Sequence, residues 1–430
     1  MAACGPALLW LIMRGLPVLS FLLAVAFSQK MFSGDQVLRI RTKDQKQLQL
    51  IRNLADTQDL KVDFWHAPAR SSLPVDMRVP FSNLNAVKNY LNSSGISYTI
   101  MIKDIQGLLD KEIKEMKFNR GKEKRDANFN YGAFHSLDEL YGEMSNIASE
   151  YPNLVSLLKM ANSFEKRPLY VLKFSTGKGD GPAIWLNHGL HSQEWITHAT
   201  GIWIARKIAS DFSENKPTIT SILNKMDIFL MPVANPDGYA YSYTTDRFWR
   251  KNRSPIPGSI CEGVDLSRNW DVAFSMGSHD PCSSFYHGSN PHSEVEVKSI
   301  ANFIKNHGNF KSFIDFHSSA QLLMYPYGYT KNKCPDCDEL GKLARDAARA
   351  PNSLFGTNYQ VGSVFETLYF ISGSSTDWAY ENGIKYVFTF ELQDTGKYGF
   401  LLPPEQILPV AQETWLALEV IMVYVKDHLY

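Results

Sequence analysis

The sequence predicts an α/β protein: a large domain with a mixed, mostly parallel central sheet flanked by helices, preceded by a small α+β unit. Three observations carry this reading. Short apolar runs at residues 169–174, 183–186 and 228–233 have the composition of strands buried on both faces. Helical segments at about 194–212 and 219–225 separate most of them. A densely charged stretch, 103–126, divides this pattern from a shorter one before it.

Taken in order, residues 16–27 form an apolar run with Arg14 before it, and Ala26-Phe27-Ser28 supplies small residues at a cleavage spacing. Arg14 interrupts the longer apolar stretch, leaving a run shorter than the roughly 20 residues a membrane span needs. Residues 1–28 therefore read as a secretory signal rather than an anchor, and the chain as a secreted protein. Between 29 and about 109, residues 36–40 and 61–65 look like strands. Leu84, Val87 and Leu91 have helical spacing, and residues 97–102 alternate as a strand does.

Residues 103–126 read as a solvated linker helix, and Arg120, Lys122, Lys124 and Arg125 suit trypsin-like proteases. In a secreted chain this predicts a propeptide over 29–125, removed near Arg120 or Arg125, and a mature domain over 126–430.

In that domain Ser136-Leu-Asp-Glu139 is a capping box opening a helix that Pro152 closes. Ser293-Glu-Val-Glu296 reads as a second box, on a helix that Gly308 should stop. Residues 313–317 and 385–391 read as strands, Asp237-Gly238 as a turn, and 407–425 as a long apolar helix; no segment after the signal reads as long and apolar enough to stop transfer.

Lys+Arg and Asp+Glu both number 44, which argues against a nucleic-acid protein, since that function needs a basic face. Hydrophobic residues at 44% and charged residues at 20% give enough apolar surface for a sizeable core. With Cys4 in the signal, four cysteines remain. Cys261 and Cys282 flank a Gly/Ser/Asn-rich stretch that a disulfide could staple. Cys334-Pro-Asp-Cys337 has no second CxxC after it, so a local disulfide or two surface thiols is the better account than a zinc ribbon or redox motif. Asn92-Ser-Ser94 and Asn252-Arg-Ser254 match the glycosylation pattern, the second lying close to Arg250.

The chemistry concentrates at strand ends. A buried strand ends near Asn187, a glycine turn follows, and a helix begins near Glu194, so His191 and Glu194 can converge on one cation. His188 competes as a ligand on spacing alone. Zinc catalysis needs three protein ligands and an open corner. Phe313-Ile-Asp-Phe-His317 is an apolar strand ending in His, and Tyr386-Val-Phe-Thr-Phe-Glu391 is another ending in Glu. A carboxylate in such a place costs several kcal/mol unless it has a partner or a task. These residues suggest a zinc hydrolase, with structural ion pairs as the rival.

His191-Ser-Gln-Glu194, Asn235-Pro-Asp-Gly238, Arg247-Phe-Trp-Arg-Lys251, Gly263-Val-Asp-Leu-Ser-Arg-Asn-Trp270, Phe390-Glu-Leu-Gln-Asp-Thr-Gly396 and Tyr398-Gly-Phe-Leu-Leu-Pro403 resemble the zinc metallocarboxypeptidases of the pancreatic A/B type. The resemblance spans signal, propeptide, linker and catalytic domain. It implies that His191, Glu194 and His317 hold one Zn²⁺; the His₂Glu set is that of carboxypeptidase A, so the assignment is inherited from the likeness.

The same likeness makes Glu391 the general base and Arg250 the oxyanion stabiliser. Arg268 becomes the grip on the terminal carboxylate, and Tyr369 the tyrosine that closes over substrate. His188 falls where the family places no ligand.

Thr376 occupies the position that is acidic in B-type enzymes, and Met324, Val364, Leu368 and Ile371 align with apolar pocket walls. The resemblance thus implies cleavage of neutral aliphatic or aromatic C-terminal residues from peptides, by a monomer that a trypsin-like protease activates.

Four positions depart from the family: Gln193 and Gln393 stand where it has Arg, Ser267 where it has Asn, and Ser319 where it has Tyr. Ser267 removes an amide donor from the carboxylate clamp, a loss of about 1.5–3 kcal/mol for a bond to a charged group. Gln193 and Ser319 fall where the family contacts residues further up the substrate. The likeness also implies cis peptides at Ser318–Ser319 and Gln393–Asp394. Two readings follow: an active zymogen-derived exopeptidase, or an impaired relative that binds zinc and peptide C-termini. Retention of the ligands, the base and Arg250 favours the first.

Overall fold

The computed structural model describes residues 29–430 apart from residues 67, 69, 127, 178, 180 and 395; the expected signal peptide and Cys4 lie outside the described residues. The N-terminal unit holds β1 (Gln36–Arg41), β2 (Asp63–Phe64), β3 (Val75–Val79) and β4 (Ser97–Ile102). They form an antiparallel sheet in the order β2-β3-β1-β4. Helices Gln45–Asp56 and Leu84–Ser93 cover one face, burying Leu48, Ile51, Leu84, Val87 and Leu91 against Leu38, Ile40 and Met77. The helix Gln45–Asp56 and strand β3 carried no expectation from sequence. In β3, Asp76 and Arg78 alternate with apolar residues yet are buried, because Arg39 and Asp35 pair with them.

The expected linker is one helix, Ile105–Asp126. It is not simply solvated. Ile105, Leu109 and Glu112 are buried, Arg120 pairs with Glu139 at 3.0 Å, and Glu123 accepts from His135 at 2.6 Å and from the Asn130 amide at 2.7 Å. Phe32, Val37, Trp65, Ile105 and Leu109 share a hydrophobic cluster with Phe248, Phe400 and Leu401 of the large domain.

That domain is built on eight strands in the order β11-β10-β12-β9-β7-β8-β6-β5. They are β5 (Val155–Asn162), β6 (Pro168–Phe174), β7 (Ala183–His188), β8 (Asp227–Met231), β9 (Phe310–Ser318), β10 (Leu322–Tyr325), β11 (Gln360–Ser363) and β12 (Tyr386–Leu392). The central strands β8, β7, β9 and β12 run parallel, and antiparallel pairs flank them, so the sheet is mixed as expected.

Strand alternation sends side chains to two cores. Ile184, Leu186, Ile228, Leu230, Ile314, Phe316, Phe388 and Phe390 face helices Leu137–Glu150, Trp195–Ser213, Cys337–Phe355 and Ile407–Asp427. Ala183, Trp185, Phe229, Met231, Phe313 and Val387 face helix Val295–His307 and Trp378.

The capping box at Ser136 forms in full. The one at Ser293 does not: Glu294 caps that helix without a side-chain bond, because Ser293 accepts from Asn269 and Glu296 is buried. Gly308 ends the helix in the left-handed conformation, as expected. Asp237-Gly238 is not a turn but the first turn of helix Pro236–Thr244, capped by Asn235, with Asp237 buried against Ser163 and Arg167.

Contrary to expectation, 404–427 is long and apolar enough to cross a membrane, but Ile407, Val410, Leu418, Ile421, Met422 and Val425 are spent on the core. Cys261–Cys282 and Cys334–Cys337 are both disulfides. The second pair is the local disulfide that was one of the two expectations; the other, surface thiols, does not hold, since both cysteines are buried where a helix that packs on the sheet begins. Cis bonds occur at Ser318–Ser319, as expected, and at Pro326–Tyr327, but not at Gln393–Asp394.

Candidate metal centre and substrate cleft

The site lies at the carboxyl ends of the parallel strands, where an open α/β sheet collects its ligands. Glu391 on β12 and His317 on β9 are register partners, so both side chains leave the sheet at one level. Strand β7 ends beside them, and the chain turns at Gly189 (φ 69°), where a Cβ would lie 2.4 Å from the His198 ring; only glycine fits. The turn delivers His191 and then Glu194, the residue that caps helix Trp195–Ser213.

His191, Glu194 and His317 are all buried and offer ligand atoms within 4.8 Å of one another. The His191 Nδ1 is 2.8 Å from Glu194 Oε1 and 3.0 Å from His317 Nδ1, which is 3.2 Å from Glu194 Oε2. Each imidazole turns its Nε2 to a carboxylate: His191 to Asp265 at 3.1 Å, His317 to Asp315 at 3.3 Å. Those partners favour protons on Nε2 and leave two Nδ1 lone pairs and a carboxylate facing one point. A cation suits that arrangement, and the nitrogen-oxygen donor set with carboxylates behind the imidazoles suits zinc. Burial alone would raise the Glu194 carboxyl, yet the two imidazoles hold it well below its usual range.

Around this centre, Arg250 donates from Nε and Nη2 to Asp265 Oδ2 at 3.1 and 3.0 Å. Arg268 donates to Ser267 Oγ at 2.7 Å and to the Tyr369 hydroxyl at 3.3 Å. Ser267 Oγ also lies 2.8 Å from His191 Nε2, so the serine joins an imidazole of this candidate centre to the Arg268 guanidinium. Glu391 faces the same cavity. Withdrawal from bulk water is the largest cause of its rise to about 7; Glu194 adds to it, and His317, His66 and Arg250 oppose it.

Thr376, Met324, Val364, Leu368 and Ile371 line this cavity too. Gln193 does not: its side chain is buried with an unpartnered Oε1, and its carbonyl accepts from Arg247. His188 is a core histidine, stacked on Phe316 at 4.1 Å, and burial lowers it to about 3. Asn252 is fully buried and donates to Glu294 at 2.6 Å, which closes the second glycosylation pattern to modification in the folded chain; Asn92 is exposed.

Sequence reasoning missed how the N-terminal unit enters the cleft. Trp65 and His66 line it, and His66 Nε2 is 2.7 Å from the Ser319 carbonyl while its Nδ1 is 3.3 Å from Asp76. Asp76 pairs with Arg39, which lies against Gly396 (φ 103°), where a Cβ would lie 1.6 Å from the guanidinium. Arg70 donates to the Glu366 carbonyl at 2.8 Å, and also to that of Phe365, on the segment that carries Tyr369.

A doubly wound sheet, a His₂Glu cation centre at its strand ends and an N-terminal unit lying in the cleft define a zinc carboxypeptidase held with its activation peptide. Residues 140–417 match the zinc carboxypeptidase family and residues 38–112 the carboxypeptidase activation peptide, and the chain belongs to that family. It is 56% identical to carboxypeptidase A4 of Mus musculus over 402 residues, covering 93% of this chain and 95% of the relative. It is 50% identical to carboxypeptidase A1 of Bos taurus over 420 residues, 97% of this chain and all of the relative. Among solved structures it resembles thrombin activatable fibrinolysis inhibitor, with a TM-score of 0.84 and 35% identity over 93% of this chain and 100% of that one.

Proposed function

We propose that this zinc carboxypeptidase is secreted as a monomeric zymogen, is freed by a trypsin-like cut after Arg120 or Arg125, and releases neutral aliphatic or aromatic C-terminal residues. The domain division follows: signal to residue 28, propeptide over 29–125, catalytic domain over 126–430. Two disulfides support an oxidising compartment.

His191, Glu194 and His317 hold the Zn²⁺, which when bound polarises the scissile carbonyl and acidifies water. Glu391 accepts the proton from the attacking water and later delivers it to the leaving amine, a role suited by a carboxyl near 7. Arg250 donates to the developing oxyanion; Asp265 fixes its guanidinium beforehand, so little reorganisation is needed. Arg268, steadied by Ser267, grips the terminal carboxylate, and only a chain end supplies one. Tyr369 closes over the substrate from beside Arg268.

Thr376 replaces an acid in the side-chain pocket, so a Lys or Arg ammonium would be left unpaired at a cost of several kcal/mol.

The observation that carries the reading is the convergence of two imidazoles and a carboxylate beside Glu391 and Arg250. The test is trypsin cleavage of the linker followed by assay on blocked dipeptides ending in Phe, Leu or Lys. Chelator-sensitive release of Phe and Leu, with Lys slower by at least a hundredfold, is expected. No release of any residue would leave only the peptide-binding alternative.

A further inference from the structure

We infer that His279 and His287 form a second metal site, which takes one divalent transition ion such as Zn²⁺ between their imidazoles. The site shares no residue with the His191, Glu194 and His317 centre and stands independently of the exopeptidase reading.

The backbone brings the two side chains together. Ser278 and Tyr286 form a β-bridge, and the His287 amide donates to the Ser278 carbonyl at 3.2 Å. Between them the Ser283 amide closes a turn on the Asp280 carbonyl at 3.0 Å, and the Cys261–Cys282 disulfide ties the loop down. An ion bound here therefore has little chain entropy left to remove.

His279 Nδ1 stands 3.1 Å from His287 Nε2. His287 Nδ1 lies 2.6 Å from the Gly288 carbonyl, which can only accept, so Nδ1 carries the proton and Nε2 presents its lone pair. A carbonyl behind an imidazole prepares metal ligands in this way. The His287 ring is buried and meets Phe274 edge-on at 4.4 Å, which fixes its plane. Burial lowers His287 from its usual range; the Gly288 carbonyl opposes this and His279 adds to it, so the ring stays neutral and able to ligate. His279 is exposed, so its Nε2 can hold its proton in water and turn the Nδ1 lone pair inward.

A direct hydrogen bond between the rings is the rival, and it prefers donor, proton and acceptor in line. The ring centroids are 4.5 Å apart, less than the 3.1 Å nitrogen separation plus two ring radii, so at least one nitrogen axis bends off that line. Two nitrogens each about 2.0–2.1 Å from one zinc stand about 2.9–3.4 Å apart at angles from square to tetrahedral, a range that contains the observed spacing. Imidazole suits zinc, copper and nickel, and water on the exposed side completes the coordination. The same loop carries Phe285, which lines the catalytic cleft with the Arg250 guanidinium 5.2 Å from its ring, so a bound ion would stiffen one wall of that cleft.

Titration of the zinc-loaded full chain with Zn²⁺, in competition with a chromogenic chelator, tests the site. Wild type should take up a second equivalent beyond the one in the catalytic centre. His279→Ala, at an exposed position, should keep the first equivalent and weaken the second about tenfold or more, the least that losing even an outer-shell partner costs. Uptake of a single equivalent by wild type overturns the inference and leaves the pair as a hydrogen bond. A second equivalent held equally well by His279→Ala also overturns it, since the extra ion then sits elsewhere.

Discussion

Glu112 is the residue through which the activation helix neutralises a charge buried in the catalytic domain. Arg247 is 1% exposed; its Nε and Nη2 reach Glu112 at 2.8 and 3.1 Å, and its other bonds go to the carbonyls of Gln193 and Phe400 at 2.8 Å. The guanidinium also lies 3.6 Å over the Trp195 ring. Glu112→Ala removes the only carboxylate paired with this group among the described residues and leaves the cation below the surface.

Removing one partner of a buried pair costs about 3–5 kcal/mol, and the lower figure applies because the exposed side of the helix admits water. At about 1.4 kcal/mol per tenfold, the N-terminal fragment of the cut chain should dissociate at about a hundredfold higher concentration. Gel filtration of the trypsin-cut protein across a dilution series reads the midpoint. Glu112→Leu combined with Arg247→Met should recover most of the loss, since an apolar pair needs no neutralisation. A shift below about threefold for Glu112→Ala would refute the claim that this pair holds the two parts together.

His66 gives a pH dependence. Burial disfavours its charge, but Asp76 and the Ser319 carbonyl outweigh burial and raise the imidazole above its usual 6.5. A raised histidine contributes stability that is full below 6.5 and lost as pH rises through its folded value, so the cut N-terminal fragment should dissociate more readily in alkaline buffer. His66→Gln should flatten that profile in the same gel-filtration assay. Asp315→Asn, which weakens the orientation of His317, should lower zinc affinity about 10- to 100-fold in competition with a chromogenic chelator. Glu296 is raised from 4.5 to about 8, first by burial and then by Glu294 and Asp237. Its native state therefore binds the proton more tightly, and stability falls as pH rises from 4.5 through 8. Glu296→Gln should flatten that slope in urea melts and leave the chain more stable than wild type above pH 8.

The parallel strands were legible because both faces are buried, which makes residues 183–186 and 228–233 continuous apolar runs. His317 and Glu391 could be seen as unusual because each ends such a run. Short or late elements were not legible. Strands β10 and β11 are four residues each and owe their place to β12 and to one another. The helix Cys337–Phe355 went unremarked because Pro351 sits inside it and alanines form much of its buried stripe.

Pairs distant in sequence were invisible: Glu112 with Arg247, and His66 with Ser319, are set by docking rather than by pattern. The second capping box misled for the same reason, since Ser293 and Glu296 are claimed by Asn269 and Asn252 across the fold. Ser267 reads from resemblance as a missing donor; its contact with His191 is made only by the fold, across 76 residues of sequence.

The helix Ile105–Asp126 runs unbroken past every basic residue at which the chain would be opened. Serine proteases bind the scissile segment as an extended strand, so the susceptible bonds must first unwind. Near Arg125 the end turn has to fray and Glu123 must release His135 and the Asn130 amide, whereas at Arg120 the contacts with Glu139 and Tyr243 must also let go. If the chain is opened there as proposed, clipping is ordered from the far end inward, and the melting of a few helical turns sets its pace.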